Sequence, residues 1–163
     1  IQAFDCSHVV ITGGEPMLQQ AGLTRLVESL AEEGYTFEVE TNGTIVPAPE
    51  MIRHIGQWNV SPKLRTSGNP SAASQVPSAL EVFAGLDKAY FKFVVTGESD
   101  VDEVCALREQ YQLEPGRVLL MPEGRTPDAL AKKSGWLSEA CLKSGFRFTT
   151  RLHIILWGDE RGR

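Results

Sequence analysis

One stretch constrains what this chain can fold into more than any other: Val9-Val10-Ile11-Thr12-Gly13-Gly14-Glu15-Pro16, a β-branched apolar run ending in two glycines, a carboxylate and a proline. Apolar residues without alternation predict a parallel strand covered on both faces, with Thr12 at its carboxyl end. Gly13 and Gly14 permit backbone angles closed to other residues and let a ligand approach the bare main chain. Pro16 suits the first turn of a helix, where its missing N–H is not needed. Loops at the carboxyl ends of parallel strands carry free N–H groups, so a small polar ligand is expected here. An ordinary strand-to-helix turn uses glycine in the same way, and this stretch alone does not separate the two.

The same unit recurs along the chain. Leu23, Leu26, Val27, Leu30 and Ala31 mark one face of a helix over Met17 to Glu33, and Gly34 stands in the C′ position. Thr36 to Glu40 alternates as a second strand that delivers Glu40, Thr41 and Asn42 before Gly43 turns the chain. A short helix around Met51, Ile52 and Ile55 precedes a third strand, Trp58-Asn59-Val60, which delivers Ser61-Pro62-Lys63. Arg65 to Pro77 reads as a loop, Ala79 to Leu86 as a short helix, and Ala89 to Val95 as a strand with Lys92 inside it. Ser99 with Asp102, or Asp100 with Glu103, is the expected cap of a helix that faces inward through Val101, Val104 and Cys105. Val118 to Met121 is a fifth strand ending in Pro122-Glu123-Gly124, and Thr126-Pro127 opens a helix that runs to about Ser144. Phe146 to Trp157 is expected as a last strand. Its alternation puts Arg151, His153 and Ile155 on the inner face and Leu152, Ile154 and Leu156 against the covering helices. Strand-helix alternation of this kind predicts a parallel α/β barrel, or part of one.

The chain of 163 residues is of a size for one domain, and we expect a single one over 1–163. Its 16 basic against 21 acidic residues, a formal charge of −5, argue against a nucleic-acid partner. No apolar run approaches the roughly 20 residues that cross a bilayer, so no membrane partner and a cytoplasmic location are expected. Cys6, Cys105 and Cys141 are too far apart to read as a disulfide framework or a metal-ligand motif, and no metal ligands are assigned. The chain opens at Ile1, almost directly into what should be an internal strand, and reads as a fragment. A barrel incomplete at that end would expose an edge at Val9 to Ile11 and favour association.

Gly-Gly-Glu-Pro after an apolar strand, then Glu40-Thr41-Asn42-Gly43, then Ser61-Pro62-Lys63, resembles in that order the radical S-adenosylmethionine enzymes. Val60 to Leu64, Leu120-Met-Pro-Glu-Gly124 and the terminal Arg147-Phe-Thr-Thr-Arg-Leu-His-Ile-Ile-Leu-Trp157-Gly158 narrow the resemblance to the 7-carboxy-7-deazaguanine synthases of the queuosine pathway. It implies a partial parallel (β/α) barrel of the radical S-adenosylmethionine type, lacking the first βα unit. The implied reaction is ring contraction of 6-carboxy-5,6,7,8-tetrahydropterin to 7-carboxy-7-deazaguanine with loss of ammonia, formally a lyase reaction. Implied cofactors are S-adenosylmethionine, a [4Fe-4S] cluster and magnesium. Implied partners are the pterin substrate, an external electron donor such as flavodoxin, and a second copy in a homodimer.

Residue by residue, the resemblance has carbonyls around Gly13, Gly14 and Glu15 accept from the methionyl ammonium. Ser61-Pro62-Lys63 would bind its carboxylate or ribose, and Glu40 and Asn42 would line the same ligand, with Glu40 accepting from a hydroxyl. Met121-Pro122-Glu123-Gly124 would lie beside the adenine. Thr12 and His153 would contact the pterin. Lys63 is equally compatible with a solvated lysine, and Asn42-Gly43 with a plain turn. The family holds its cluster with three cysteines near the N-terminus, Cys-x3-Cys-x2-Cys in the common case, and this sequence has none so spaced. As written, the chain is not expected to perform the reaction. Two alternatives are another radical S-adenosylmethionine enzyme, such as a glycyl-radical activase, and a non-catalytic ligand-binding remnant of the barrel.

Overall fold

The structure is a computed structural model that describes residues 5–68 and 75–160. Six strands follow one another in the order of the chain: β1 (His8–Ile11), β2 (Thr36–Thr41), β3 (Ile55–Val60), β4 (Ala89–Val95), β5 (Val118–Pro122) and β6 (Arg147–Phe148). Between them run α1 (Gln20–Glu32), α2 (Pro49–His54), α3 (Pro77–Ala84), α4 (Glu98–Tyr111) and α5 (Pro127–Ser144), and α6 (Leu152–Trp157) follows the last strand. The contacts gather into two compact units, one of residues 1–62 and 72–90, the other of residues 63–71 and 91–163.

In the first unit β1 pairs in parallel with β2, and β2 with β3. Period-2 alternation places Phe37, Val39 and Thr41 of β2, and Trp58 and Val60 of β3, on buried positions, and a register shift between Phe37 and Glu38 lets Ile55 be buried as well. They share the core with Val27 and Leu30 of α1, Met51 of α2, and Leu80 and Phe83 of α3. The Trp58 ring meets Phe83 edge to face, with centroids 5.4 Å apart. The other face of the layer is polar: Asn59 donates to Glu38, Gln57 donates to Asn59 at 3.0 Å, and His8 Nε2 lies 3.4 Å from the Glu38 carboxylate.

In the second unit β4 pairs in parallel with β5, and β5 with β6. Phe91, Phe93 and Val95, with Val118 and Leu120, meet Val104 and Leu107 of α4 and Leu130, Leu137 and Cys141 of α5 in a second core. Thr126 caps α5 by accepting from the Ala129 N–H at 3.2 Å, and Gly145, at φ +70°, ends it as expected. Burial pushes the Cys141 thiol above its ordinary range, against a backbone hydrogen bond at Leu120, so it is an inert core residue. Cys105 is half-buried and Cys6 exposed.

Three expectations are corrected. The run Val9 to Ile11 is not covered on both faces: among the described residues β1 pairs with β2 alone, and Val10 is 49% exposed. Pairing on one side only leaves the other edge of β1 open among the described residues. The helix after Gly97 has no side-chain cap from Ser99 or Asp102; Asp100 turns back to Thr96 instead. The third correction is the largest. Only Arg147 and Phe148 pair with β5, and Leu152–Trp157 is a helix, so the alternation proposed for Phe146 to Trp157 does not exist. The described part of the loop expected over 65–77 includes a 3-10 turn at Arg65–Ser67, and residues 69–74 lie outside the described residues.

Candidate functional site

Three strand ends in the first unit carry the residues singled out by sequence. After β1, Thr12, Gly13 and Gly14 are exposed, and among the described residues no atom beyond the adjoining residues of the chain lies within 4 Å of where a Cβ would stand on either glycine. Gly13 adopts φ +147°. The bare backbone here borders open space, which is what close approach of a ligand needs. Glu15 then caps the 3-10 turn Pro16–Gln19 that leads into α1.

The carboxylate of Glu15 does more than cap. Its Oε1 accepts from the Met17 N–H at 3.0 Å and from the Thr41 hydroxyl at 2.8 Å, while Oε2 accepts from the Asn42 N–H at 2.7 Å. One side chain therefore ties the glycine turn after β1 to the end of β2. Thr41 is 4% exposed, and its oxygen also accepts from the Gly43 N–H. Sequence reasoning assigned Glu15 a backbone role only. The available signal was a carboxylate before a proline at a helix start, an N-cap pattern, but its partners 26 and 27 residues away leave no local trace.

Asn42 uses its side-chain oxygen to accept from the N–H and hydroxyl of Thr44, at 2.9 and 2.6 Å, so this atom builds the turn. Gly43 is buried at φ +75°, and a Cβ there would stand 2.6 Å from Val60 Cγ1. Gly43→Ala is expected to cost about 2 kcal/mol, from left-handed strain and overpacking together, measured by denaturant unfolding. An unchanged midpoint would show that the turn relaxes freely. Glu40 is half-buried on the polar face of β2. At the end of β3 the Ser61 N–H donates to the Thr41 carbonyl at 2.8 Å, which joins this strand end to the second. Ser61 is half-buried and Pro62 buried.

The second unit carries the remaining candidates. Lys63 is half-buried and precedes Leu64, which is 2% exposed. At the end of β5 the Glu123 N–H donates to the Val95 carbonyl at 2.9 Å, and its carboxylate accepts from Lys133 Nζ at 2.8 Å. That hydrogen bond, opposed by burial and helped by the charges of Lys133, Arg151 and Arg125, holds the Glu123 carboxyl below its usual range. Met121 is half-buried, and Pro122 and Gly124 are buried. A Cβ on Gly124 would press on Leu130 Cδ2 at 3.0 Å, so glycine lets the strand end sit tight on α5. His153 is exposed on α6. It is thus not a core histidine, and on a helix it does not share the inward strand face expected for it.

The residues present do not fit an iron-sulfur cluster. The described cysteines are one exposed, one half-buried and one buried, and no group of three or more His, Cys, Asp or Glu among the described residues is arranged to hold a metal ion. No helix among the described residues is long and apolar enough to cross a membrane.

No protein-family profile matches the chain. The 7-carboxy-7-deazaguanine synthase of Pyrobaculum aerophilum is 40% identical over 157 residues, covering 96% of this chain and 68% of that protein. The enzyme of the same name from Halobacterium salinarum is 34% identical, over 98% of this chain and 68% of its own length. Among solved structures, QueE from Escherichia coli superposes with a TM-score of 0.65 at 27% identity, covering 92% of this chain and 58% of that one. A domain of the pyruvate-formate lyase-activating enzyme from Bacteroides vulgatus gives a TM-score of 0.62 at 15% identity, a likeness of fold alone. The fold class expected from the sequence, an open part of a parallel (β/α) barrel of the radical S-adenosylmethionine type, agrees with the strand arrangement and with both neighbours.

Proposed function

The chain belongs to the 7-carboxy-7-deazaguanine synthases, and on that premise we propose that the protein containing it contracts 6-carboxy-5,6,7,8-tetrahydropterin to 7-carboxy-7-deazaguanine, with loss of ammonia, as a radical S-adenosylmethionine lyase of queuosine biosynthesis. The observation that carries the reading is the open glycine turn at the end of β1, pinned through Glu15 to the end of β2. A turn held rigidly while its backbone stays bare is suited to a small zwitterion. The carbonyls at Gly13, Gly14 and Glu15 accept from the ammonium of S-adenosylmethionine, and Ser61 and Lys63 donate to its carboxylate or ribose. Pro62 biases the backbone of Ser61 before it toward the extended region.

Glu40 accepts from a ribose hydroxyl, Asn42 shapes the turn beside it, and Met121, Pro122, Glu123 and Gly124 line the adenine. Thr12 and His153 contact the pterin. These roles complete the reading, with magnesium at the substrate, flavodoxin as electron donor, a homodimer and a cytoplasmic location.

The test uses the protein as encoded in its full reading frame, reconstituted without oxygen and incubated with carboxytetrahydropterin, S-adenosylmethionine and reductant. Mass spectrometry is expected to find 7-carboxy-7-deazaguanine only when both small molecules are present. Iron-loaded protein that binds S-adenosylmethionine yet forms no deazaguanine would overturn the assignment.

A further inference from the structure

Asp100 is 1% exposed, yet it is a carboxylate. Its Oδ1 accepts from the Thr66 hydroxyl at 2.8 Å, and its Oδ2 accepts from the N–H and the hydroxyl of Thr96, both at 2.7 Å. It stands in the first turn of α4, where the helix dipole favours negative charge. Burial raises its carboxyl pKa, but the hydrogen bonds from Thr96 and Thr66 outweigh this and leave it below the ordinary value. A second tie runs alongside: the Arg65 N–H donates to Glu103 at 3.2 Å, and Arg65 Nε lies 3.3 Å from the same carboxylate. Leu64, 2% exposed, anchors the segment from below, and the Ser67 N–H closes its turn on the Leu64 carbonyl at 2.9 Å.

The ties from Asp100, Glu103 and Leu64 to this segment all fall within four residues after Lys63. A buried charge is a costly way to hold a surface loop unless its position matters, because charge-assisted hydrogen bonds are directional and apolar packing is not. We propose that Asp100, acting through Thr66, is a positioning residue that fixes the Lys63–Ser67 segment and so sets where the Lys63 ammonium meets S-adenosylmethionine. This deepens the functional reading and rests on it. Asp100 touches neither ligand nor reacting atoms; it acts through the loop.

Thr66 is exposed, so Thr66→Val removes one hydroxyl without threatening the core. Calorimetric titration with S-adenosylmethionine is expected to show about a tenfold weaker dissociation constant for Thr66→Val, the loss of one hydrogen bond to a charged group. Thr66→Ser, which keeps the hydroxyl, should bind as the parent does. Amide exchange of residues 64–67 should speed up in Thr66→Val and Asp100→Asn while β4 and the body of α4 keep their protection. Parental affinity in folded Thr66→Val, or exchange that rises equally through β4 and α4, would overturn the proposal. If the parent binds no S-adenosylmethionine, the functional reading fails, and the exchange pattern alone then decides whether Asp100 holds the loop.

Discussion

Replacing Glu15 with alanine is expected to lower the unfolding free energy by roughly 3 kcal/mol and to abolish S-adenosylmethionine binding. Three donors converge on this carboxylate: the Met17 N–H, the Thr41 hydroxyl and the Asn42 N–H. Hydrogen bonds to a charged acceptor contribute about 1.5–3 kcal/mol each, but Glu15 is only half-buried and the three act as one unit, so their sum overstates the loss. The binding defect follows from geometry. Without the carboxylate the bare Gly13-Gly14 turn loses its side-chain tie to the end of β2, and the donors and acceptors proposed to face S-adenosylmethionine lose their spacing. Glu15→Gln separates the two effects. The amide keeps one acceptor and turns the other oxygen into a donor facing a donor, so an intermediate loss of about 1–2 kcal/mol is expected. Urea unfolding and calorimetric titration measure both. An alanine variant as stable as the parent, with unchanged affinity, would show that the turn holds itself.

Trp58→Ala should cost more, about 3–5 kcal/mol, the range for truncating a large buried aromatic. Trp58 is fully buried on β3, and the substitution also removes its edge-to-face contact with Phe83, whose planes stand at 60°. The indole carries a second, opposing term: its Nε1 is buried without a hydrogen-bond partner among the described residues. An orphaned buried donor costs about 1–3 kcal/mol, so Trp58→Phe loses some packing volume but relieves this penalty. Its expected net cost is below roughly 1.5 kcal/mol. The gap between the two variants in a denaturant melt is the informative quantity. If Trp58→Phe were as damaging as Trp58→Ala, the packing of the indole ring itself, not the size of the aromatic, would dominate that core.

Local pattern alone determined most of the regular elements of this protein. Ala89–Val95 is a strand over its expected length because alternating positions have nowhere to go but one buried and one half-buried face. The start of α5 at Thr126-Pro127 and its stop at Gly145 were legible because caps act within one turn of the chain. The placement of Gly13, Asn42, Ser61 and Glu123 at strand ends followed from the same reading, since each motif directly succeeds an apolar run. Tertiary structure decided the rest. Phe146 to Trp157 satisfies period 2 on paper, but β5 offers partners only at Leu119 and Leu120. Past Thr149, whose N–H still donates to the Leu120 carbonyl, the backbone has no ladder to join and closes its hydrogen bonds internally as α6, burying Ile154 and leaving Leu152 60% exposed. Val9 to Ile11 looked covered because β-branching reports strand propensity, whereas burial depends on a neighbour. The tie from Glu15 to Thr41 in the first unit and the tie from Asp100 to Thr66 in the second join residues 26 and 34 positions apart. Such pairs exist only once the strands have been laid side by side, which is why the sequence names the loops of the site and the fold alone supplies what keeps them in place.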